Sequence, residues 1–351
     1  MSTGDVVFLC TDWASTSSDG NCCVARGLRY PEGMSYVYEE YRDLVVIERV
    51  EEADGVVSIR VGAPSGEKLP SWEPGAHIDV QLGNGIERQY SLCSHFGADT
   101  WRIAVLREPD GRGGSSFVHD NINVGDHVRT RGPRNHFPLV DAPSYLFIAG
   151  GVGVTPMVPM LGQVIFDKDA PWTFYYGGRT RNSMAFRDRL EALGVVIWPQ
   201  DEKGLLPLDD ILSKAALDTA VYCCGPEPLI SAVEQACERL GRPIPHVERF
   251  AAKPIDTTGD SGDHEFTVVL NSSGAEFVVP RDRSIIEVLL DNGVPVMTSC
   301  TEGVCGTCET KVISGEIAHR DSILSEEDRE EGIYMMPCVS RCKGDRLVLD
   351  I

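Results

Sequence analysis

The sequence predicts a multidomain chain: an antiparallel β-barrel, then an α/β domain built on a parallel sheet, then a small α+β domain at the C-terminus. Three observations carry this prediction. Residues 41–138 hold short alternating apolar runs broken by turn residues, and residues 139–250 alternate strand-like with helix-like segments. Residues 265–351 place four of the chain's twelve cysteines in a pattern suited to a metal centre. Between the last two, residues 251–264 read AAKPIDTTGDSGDH, small, polar and Pro/Gly-containing as a linker should be.

Taken in order, residues 1–40 are polar and irregular, and no role is assigned to them. Their adjacent Cys22 and Cys23 point in different directions in any regular structure and read as incidental thiols. The barrel rests on DLVVIERVE, GVVSIRV, HIDVQL, RQYSL, WRIAVLRE and HVRTRG, separated by turn signals such as Gly83-Asn84-Gly85 and Asp110-Gly111. From Ser144 the buried strand YLFIAG runs into GGVGVTPMVPMLGQVI. TFYYGG, a helix around AFRDRLEAL, the strand VVIW, a helix near LDDILSKA, the strand AVYCCG and the helix LISAVEQACERL follow. Alternation of this kind implies a doubly wound parallel sheet. The C-terminal domain offers strands FTVVL, EFVVP and RLVLDI and a helix IIEVLLDNG.

Cys300, Cys305 and Cys308 share one loop at C-x4-C-x2-C spacing, and Cys338 in MMPCVSRC is placed to arrive from a distant strand or turn. That is the plant-type [2Fe–2S] pattern: thiolates folded around a small inorganic core, with Gly303 and Gly306 letting the backbone turn tightly and aim N–H groups at the sulfurs. Structural zinc is the alternative, but it usually takes two separated close pairs of ligands.

The formal charge of −21 argues against nucleic acid or an anionic membrane as the main partner. No apolar run approaches the roughly 18 residues of a membrane helix, and the N-terminus MSTGDVVFLCTDW does not read as a secretion signal. The expectation is a soluble cytoplasmic protein with reduced cysteines. Residues 265–351 carry 16 acidic against 8 basic side chains. The run SEEDREE at 325–331 reads either as a solvated helix face or as a docking surface for a basic electron acceptor.

Two further motifs bear on chemistry. Arg88-Gln89-Tyr90-Ser91-Leu92 lies on a barrel strand, and GRGGSSFVHD places Gly113, Gly114, Ser115 and Ser116 at a helix start, where free N–H groups suit a phosphate. GGVGVTPM follows a buried strand and opens a helix, as a dinucleotide-binding loop does. It departs from G-x-G-x-x-G, because Pro156 holds the third glycine position and no acidic residue follows the next strand, TFYYGG, until Asp188.

From about residue 41 onward the chain closely resembles the phthalate dioxygenase reductase family. The resemblance rests on RQYSL, GRGGS, PRNHFPL, GGVGVTPM, YCCGP, the ERF ending the second domain, and the cysteine loop, in that order. It implies an FMN-binding barrel at 41–138, a ferredoxin-reductase-like nicotinamide domain at 139–250, and a β-grasp plant-type ferredoxin domain at 265–351. By the same resemblance Arg88 binds the flavin phosphate with the GRGGSS serines, Gln89 is a further cofactor-binding residue of that strand, Tyr90 packs on the isoalloxazine ring, and Ser91 bonds near its reactive nitrogen. Gly151 and Gly153 let the pyrophosphate approach, and Thr155 lies near the nicotinamide. Cys224, with Gly225 and Pro226, flanks the carbon that gives up hydride, and Phe250 covers the other flavin face. Cys223, His119 and His136 read as structural. FAD is retained as the alternative to FMN. NADH is the implied coenzyme, while Arg179 and Arg181 after TFYYGG keep NADPH open.

The family implies electron transfer from NADH through flavin and cluster to a Rieske-type terminal oxygenase of a ring-hydroxylating or demethylating system. A plant-type cluster near about −400 mV and a Rieske centre at about −150 to +300 mV leave a downhill step of roughly 250 mV or more. A cytochrome P450 is the alternative acceptor, and a non-enzymatic iron–sulfur redox sensor is the reading of a different class. A monomer is the default expectation.

Overall fold

A computed structural model of the chain describes residues 41–351 apart from 84, 96 and 252–263. Residues 1–40, with Cys22 and Cys23, and nearly all of the expected linker lie outside the described residues.

The first sheet comprises β1 (Arg42–Ala53), β2 (Val56–Gly62), β3 (Ala76–Gln81), β4 (Glu87–Ser91), β5 (Trp101–Leu106) and, after helix α1 (Gly114–Asn121), β6 (His127–Asn135). All pairings are antiparallel, in the order β4-β3-β6-β1-β2-β5. The sheet curls until its ends meet: Leu92, just past β4, bridges Ile103 of β5, and the Cys93 N–H donates to Arg102 O at 2.8 Å. Closure removes the exposed edges of an open sheet. Alternation sends Ile59, Val61, Ile78, Val80 and Ile103 inward, and α1 adds Val118 to that core.

The second sheet is parallel. Its elements are β7 (Tyr145–Gly150), α2 (Met157–Gln163), β8 (Trp172–Gly178), α3 (Arg187–Ala192), β9 (Val196–Pro199), α4 (Gln200–Lys203), α5 (Leu208–Lys214), β10 (Ala220–Cys224), α6 (Glu227–Arg239) and β11 (His246–Glu248), and the strand order is β11-β10-β7-β8-β9. Strand β7 is buried along its whole length, as a central parallel strand should be. Phe147 and Ala149 face a core shared with α2 and α3, whereas Leu146 and Ile148 face one shared with α5 and α6. The first of these cores continues into the barrel through Val56, Cys93, Ala104 and Phe137. Order reverses between β7 and β10, which puts the ligand crevice at the carboxyl ends of those two strands. Edge strand β11 has no periodic signal in HVE and was not expected; its register with β10 sets Glu248 beside Cys224.

The third unit holds β12 (Phe266–Leu270), β13 (Glu276–Val279), α7 (Ile285–Asp291), β14 (Thr310–Ser314), β15 (Ile317–Ala318), α8 (Glu326–Glu331), β16 (Tyr334–Met335), β17 (Arg341–Cys342) and β18 (Arg346–Leu349). Its sheet runs β13-β12-β18-β14-β16, with β12 and β18 parallel and the other pairs antiparallel. Helix α7 starts at a capping box between Ser284 and Glu287 and lays Ile285, Val288 and Leu289 on that sheet, a β-grasp arrangement. Among the described residues no helix is long and apolar enough to cross a membrane.

Candidate functional site

The loop between α7 and β14 brings three of the predicted cysteines, Cys300, Cys305 and Cys308, together with the fourth, Cys338. Cys308 and Cys338 Sγ lie 3.2 Å apart, Cys300 hydrogen-bonds with Cys305, and Cys300 also meets Cys338. Among the described residues no three metal-ligating side chains form a group fit for a single ion. Cys300 with Cys305 and Cys308 with Cys338 are in contact, and the Cys300–Cys338 contact links the two pairs, a donor set that fits a centre of two irons taking two thiolates each. Shared hydrogen bonding with Cys300 and burial push the Cys305 thiol well up. A cationic centre reverses that cost by holding the sulfur deprotonated. Gly306 has φ 71°, and a Cβ there would run into the His136 ring, so both the turn and the close approach of the barrel require glycine. Asp321, fully buried, holds the loop from the other side: it accepts from the Leu324 N–H at 2.9 Å, while the neighbouring Ser322 N–H donates to Gly303 O at 2.8 Å.

The cysteine loop sits on the barrel. Asp79 of β3, with no exposed side-chain surface, pairs with Arg131 at 2.8 Å and Arg134 at 2.6 Å. Burial alone would raise its carboxyl, but the arginines and Gln89 hold it below the ordinary range. From the loop, the Ser299 hydroxyl reaches Asp79 at 3.3 Å, Thr298 O accepts from Arg131 at 3.3 Å, and Glu302 pairs with Arg112 at 3.0 Å. His77 and His136 stack at 5.7 Å beneath the loop. Burial and the Arg134 charge hold them neutral, at about 3 and about 4, so His136 is a packing group as expected. His119, also expected to be structural, bonds Val105 O at 2.9 Å.

On the other side of β4, Arg88 directs its hydrogen bonds to two main-chain carbonyls, Glu87 O at 2.7 Å and Arg112 O at 3.5 Å. Burial and the nearby Arg112 lower its guanidinium, so the positive charge there is under-compensated. Its side chain lies against Gly114, where a Cβ would come within 2.7 Å of Cγ. Helix α1 begins there at Gly113, φ 83°, with no side chain capping its N-terminus. Ser115 accepts from the Glu108 N–H at 3.0 Å and ties the loop down; Ser116 follows it in the first turn. A crowded guanidinium and an uncapped helix N-terminus fit one phosphate. Tyr90 is half-buried beside this cradle, its phenol raised by burial.

The crevice of the parallel sheet meets the same strand. A Cβ on Gly153 would collide with Cys224 O, so the glycine loop after β7 lies directly on the loop after β10 that carries Gly225 and Pro226. Gly151 has φ 55°, and Thr155 is buried with its hydroxyl on Val152 O at 2.9 Å. Cys223 and Cys224 are fully buried, and burial raises both thiols far above their ordinary range. Ser91, at the end of β4, donates to Glu248 Oε2 at 3.2 Å, joining barrel to crevice. Phe250 is 44% exposed, two residues beyond.

Comparison with known proteins agrees with this layout. Residues 147–235 match an oxidoreductase NAD-binding domain and residues 268–343 a 2Fe-2S iron-sulfur cluster binding domain. The chain is 36% identical over 319 residues to the phthalate 4,5-dioxygenase oxygenase reductase subunit of Pseudomonas putida, spanning 89% of this chain and 97% of that one. The chain belongs to the phthalate dioxygenase reductase family. Among solved structures, phthalate dioxygenase reductase itself, described as modular for electron transfer from pyridine nucleotides to [2Fe-2S], superposes with TM-score 0.65 at 35% identity over 89% of this chain and 98% of that one. An intact type IV self-sufficient cytochrome P450 monooxygenase superposes with TM-score 0.82 at 38% identity, over 89% of this chain but 41% of that one.

Within this reductase fold, Glu248 is a buried carboxyl of the crevice that sequence reading passed over. Only its place in the ERF motif could have flagged it. Burial lifts its carboxyl to about 8, against the Ser91 hydrogen bond, which lowers it. Besides Ser91 it faces the Cys224 thiol from β10. At neutral pH the carboxyl is protonated, and it ionises on the alkaline side. A group whose folded pKa is raised contributes stability below its unfolded pKa and loses it as pH rises through the folded one. Wild type is therefore expected to lose urea resistance relative to Glu248→Gln between about pH 4.5 and 8. Denaturation midpoints of the two proteins across that range check this; parallel curves would remove Glu248 from consideration as a titrating group.

Proposed function

We propose that this reductase takes hydride from NADH at the crevice and delivers single electrons from the cysteine loop to a Rieske-type terminal oxygenase of an aromatic-hydroxylating or demethylating system. A flavin held there would supply the exchange between paired and single electrons, and a [2Fe–2S] cluster on the four cysteines would supply one-electron transfer. The chain's own residues supply position. Arg88 and the start of α1, with Gly113, Gly114, Ser115 and Ser116, hold the phosphate; Tyr90 and Phe250 bracket the flavin ring; Ser91 bonds its edge. Gly151, Gly153, Gly225 and Pro226 admit the dinucleotide, and Thr155 and Cys224 fix the nicotinamide. No strong acid or base is needed for hydride transfer, only stacked rings in a dry near-attack geometry. Cys300, Cys305, Cys308 and Cys338 hold the cluster.

The observation that carries this reading is that one strand serves both ends. On β4, Ser91 bonds Glu248 of the crevice, and two residues earlier Gln89 lies 3.2 Å from Thr307 in the cysteine loop. Input and output of electrons are thus a few residues apart. NADH is favoured over NADPH because Arg181 is neutralised by Glu202 at 2.8 Å and Glu191 at 3.8 Å, so it offers little charge to a 2′-phosphate. One phosphate cradle favours FMN over FAD. Helix α8, whose acidic side chains are exposed, is tied through an Arg329 hydrogen bond to Asp321 O at 2.6 Å to the segment that holds the cysteine loop, which suits a basic acceptor. All of these sites lie in one chain, so a monomer suffices.

A cytochrome P450 acceptor is the second reading, favoured by the better superposition on the self-sufficient P450. The test is anaerobic titration with NADH and then NADPH, followed by turnover with ferricyanide and cytochrome c. Flavin and iron bands that bleach with NADH, and many acceptor equivalents reduced per chain, are expected. A colourless protein, or one equivalent per chain as a redox sensor would give, overturns the proposal. Reduction of a purified Rieske oxygenase but not of a P450 separates the two acceptors.

A further inference from the structure

Gln89 stands between Arg88 and Tyr90, yet its amide turns away from the phosphate cradle. Its Nε2 lies 2.9 Å from Asp79 Oδ1 and 3.2 Å from Thr307 Oγ1. Asp79, buried and ionised between two arginines, can only accept, so it fixes which end of the Gln89 amide faces it. The second amide N–H then points at the buried Thr307 hydroxyl, which must accept there. A hydroxyl carries a single proton, and that of Thr307 is left for its remaining neighbour, Cys305 Sγ at 3.3 Å. As a metal-bound thiolate, Cys305 has no proton of its own, and the bond runs from Thr307 to sulfur.

We propose that barrel strand β4 sets the reduction potential of the cluster through the chain Asp79, Gln89, Thr307, Cys305; this rests on the cluster reading given above. A donor aimed at a cluster sulfur stabilises the reduced, more negative form and raises the potential. Gln89 orients that donor without touching the sulfur, so it and Asp79 are positioning residues on the barrel for a centre in the ferredoxin domain. Seating the cysteine loop on the barrel, which Ser299 and Thr298 O also secure, completes the chain and makes the cluster a better acceptor where the flavin is held.

The test is a spectroscopically monitored redox titration of the full chain as wild type, Thr307→Val, Thr307→Ser and Gln89→Met, with iron quantified in each. Thr307→Val is expected to disfavour reduction about tenfold, which for one electron is about 59 mV. Thr307→Ser should restore most of that, and Gln89→Met should shift the cluster in the same direction by a smaller factor. A Thr307→Val cluster titrating with wild type overturns the proposal. So does an unshifted Gln89→Met cluster, which would confine any effect to the loop. Should Thr307→Val fail to take up iron, Gln89→Met decides alone. Wild type without iron would instead sink the cluster reading itself.

Discussion

Alanine at position 338 is expected to strip the protein of its iron, while alanine at position 342, four residues on, is expected to leave the iron in place. Both cysteines are buried, and sequence distance hardly separates them, so the contrast comes from their surroundings. Cys338 faces Cys308 at 3.2 Å and meets Cys300. Cys342 lies in β17, paired with Ile317 and packed in the apolar core under α7. Loss of one of four thiolates leaves a cluster with an open coordination site and a buried cavity of thiols. Loss of the Cys342 sulfur removes only a small buried group, at about 1 kcal/mol. Visible absorbance and iron per chain after purification decide it. Iron lost from the Cys342→Ala protein and kept by Cys338→Ala would reverse the ligand assignment.

The second large effect is expected at Arg88. Arg88→Ala should purify without flavin but with its full iron, because the guanidinium serves the α1 cradle and touches no cysteine. A charge-assisted hydrogen bond contributes about 1.5–3 kcal/mol, so two to one phosphate correspond to roughly 10²-fold or more in affinity. Arg88→Lys should recover only part of this, since an ammonium keeps the charge and loses the fork. Fluorescence of flavin released on dilution, with iron assayed on the same sample, gives the answer. Full retention of flavin by Arg88→Ala would remove this residue from the phosphate site, and parallel loss of iron would point to collapse of the fold instead.

Much of this protein can be read directly from its residues. The apolar runs HIDVQL and WRIAVLRE become β3 and β5, because alternating apolar side chains between turn residues are a local strand signal, although β3 is buried at five of its six residues rather than at alternate ones. YLFIAG and AVYCCG become central parallel strands because burial on both faces demands an uninterrupted apolar run. The cysteine loop was legible because ligand spacing along a turn is also local. Less legible were the short pieces. β11, β15, β16 and β17 have two or three residues each, too few to show any period; β11 and β16 form on the edges of the longer β10 and β14, and β15 and β17 form only by pairing with each other.

Of the sites, Arg88 and the GRGGSS turn could be singled out from sequence, since a guanidinium and a glycine-led helix start announce an anion. Glu248 could not: an acidic residue in HVERF looks like any surface carboxylate until β11 pairs with β10 and sets it against Ser91 and Cys224. The same holds for Asp79 in HIDVQL, whose position in a strand predicts a solvent-facing side chain and whose actual place is a sealed ion pair beneath the cysteine loop.

By itself, then, the order of residues determined the three folding units, the cysteine loop and the glycine-led helix start, because each depends on groups close together along the backbone. Only the tertiary structure decided how β4 is used, with Ser91 turned to the crevice and Gln89 to the cysteine loop. That choice comes from contacts between residues 157 and 218 positions apart, and long-range partners of this kind leave no local signature in either segment.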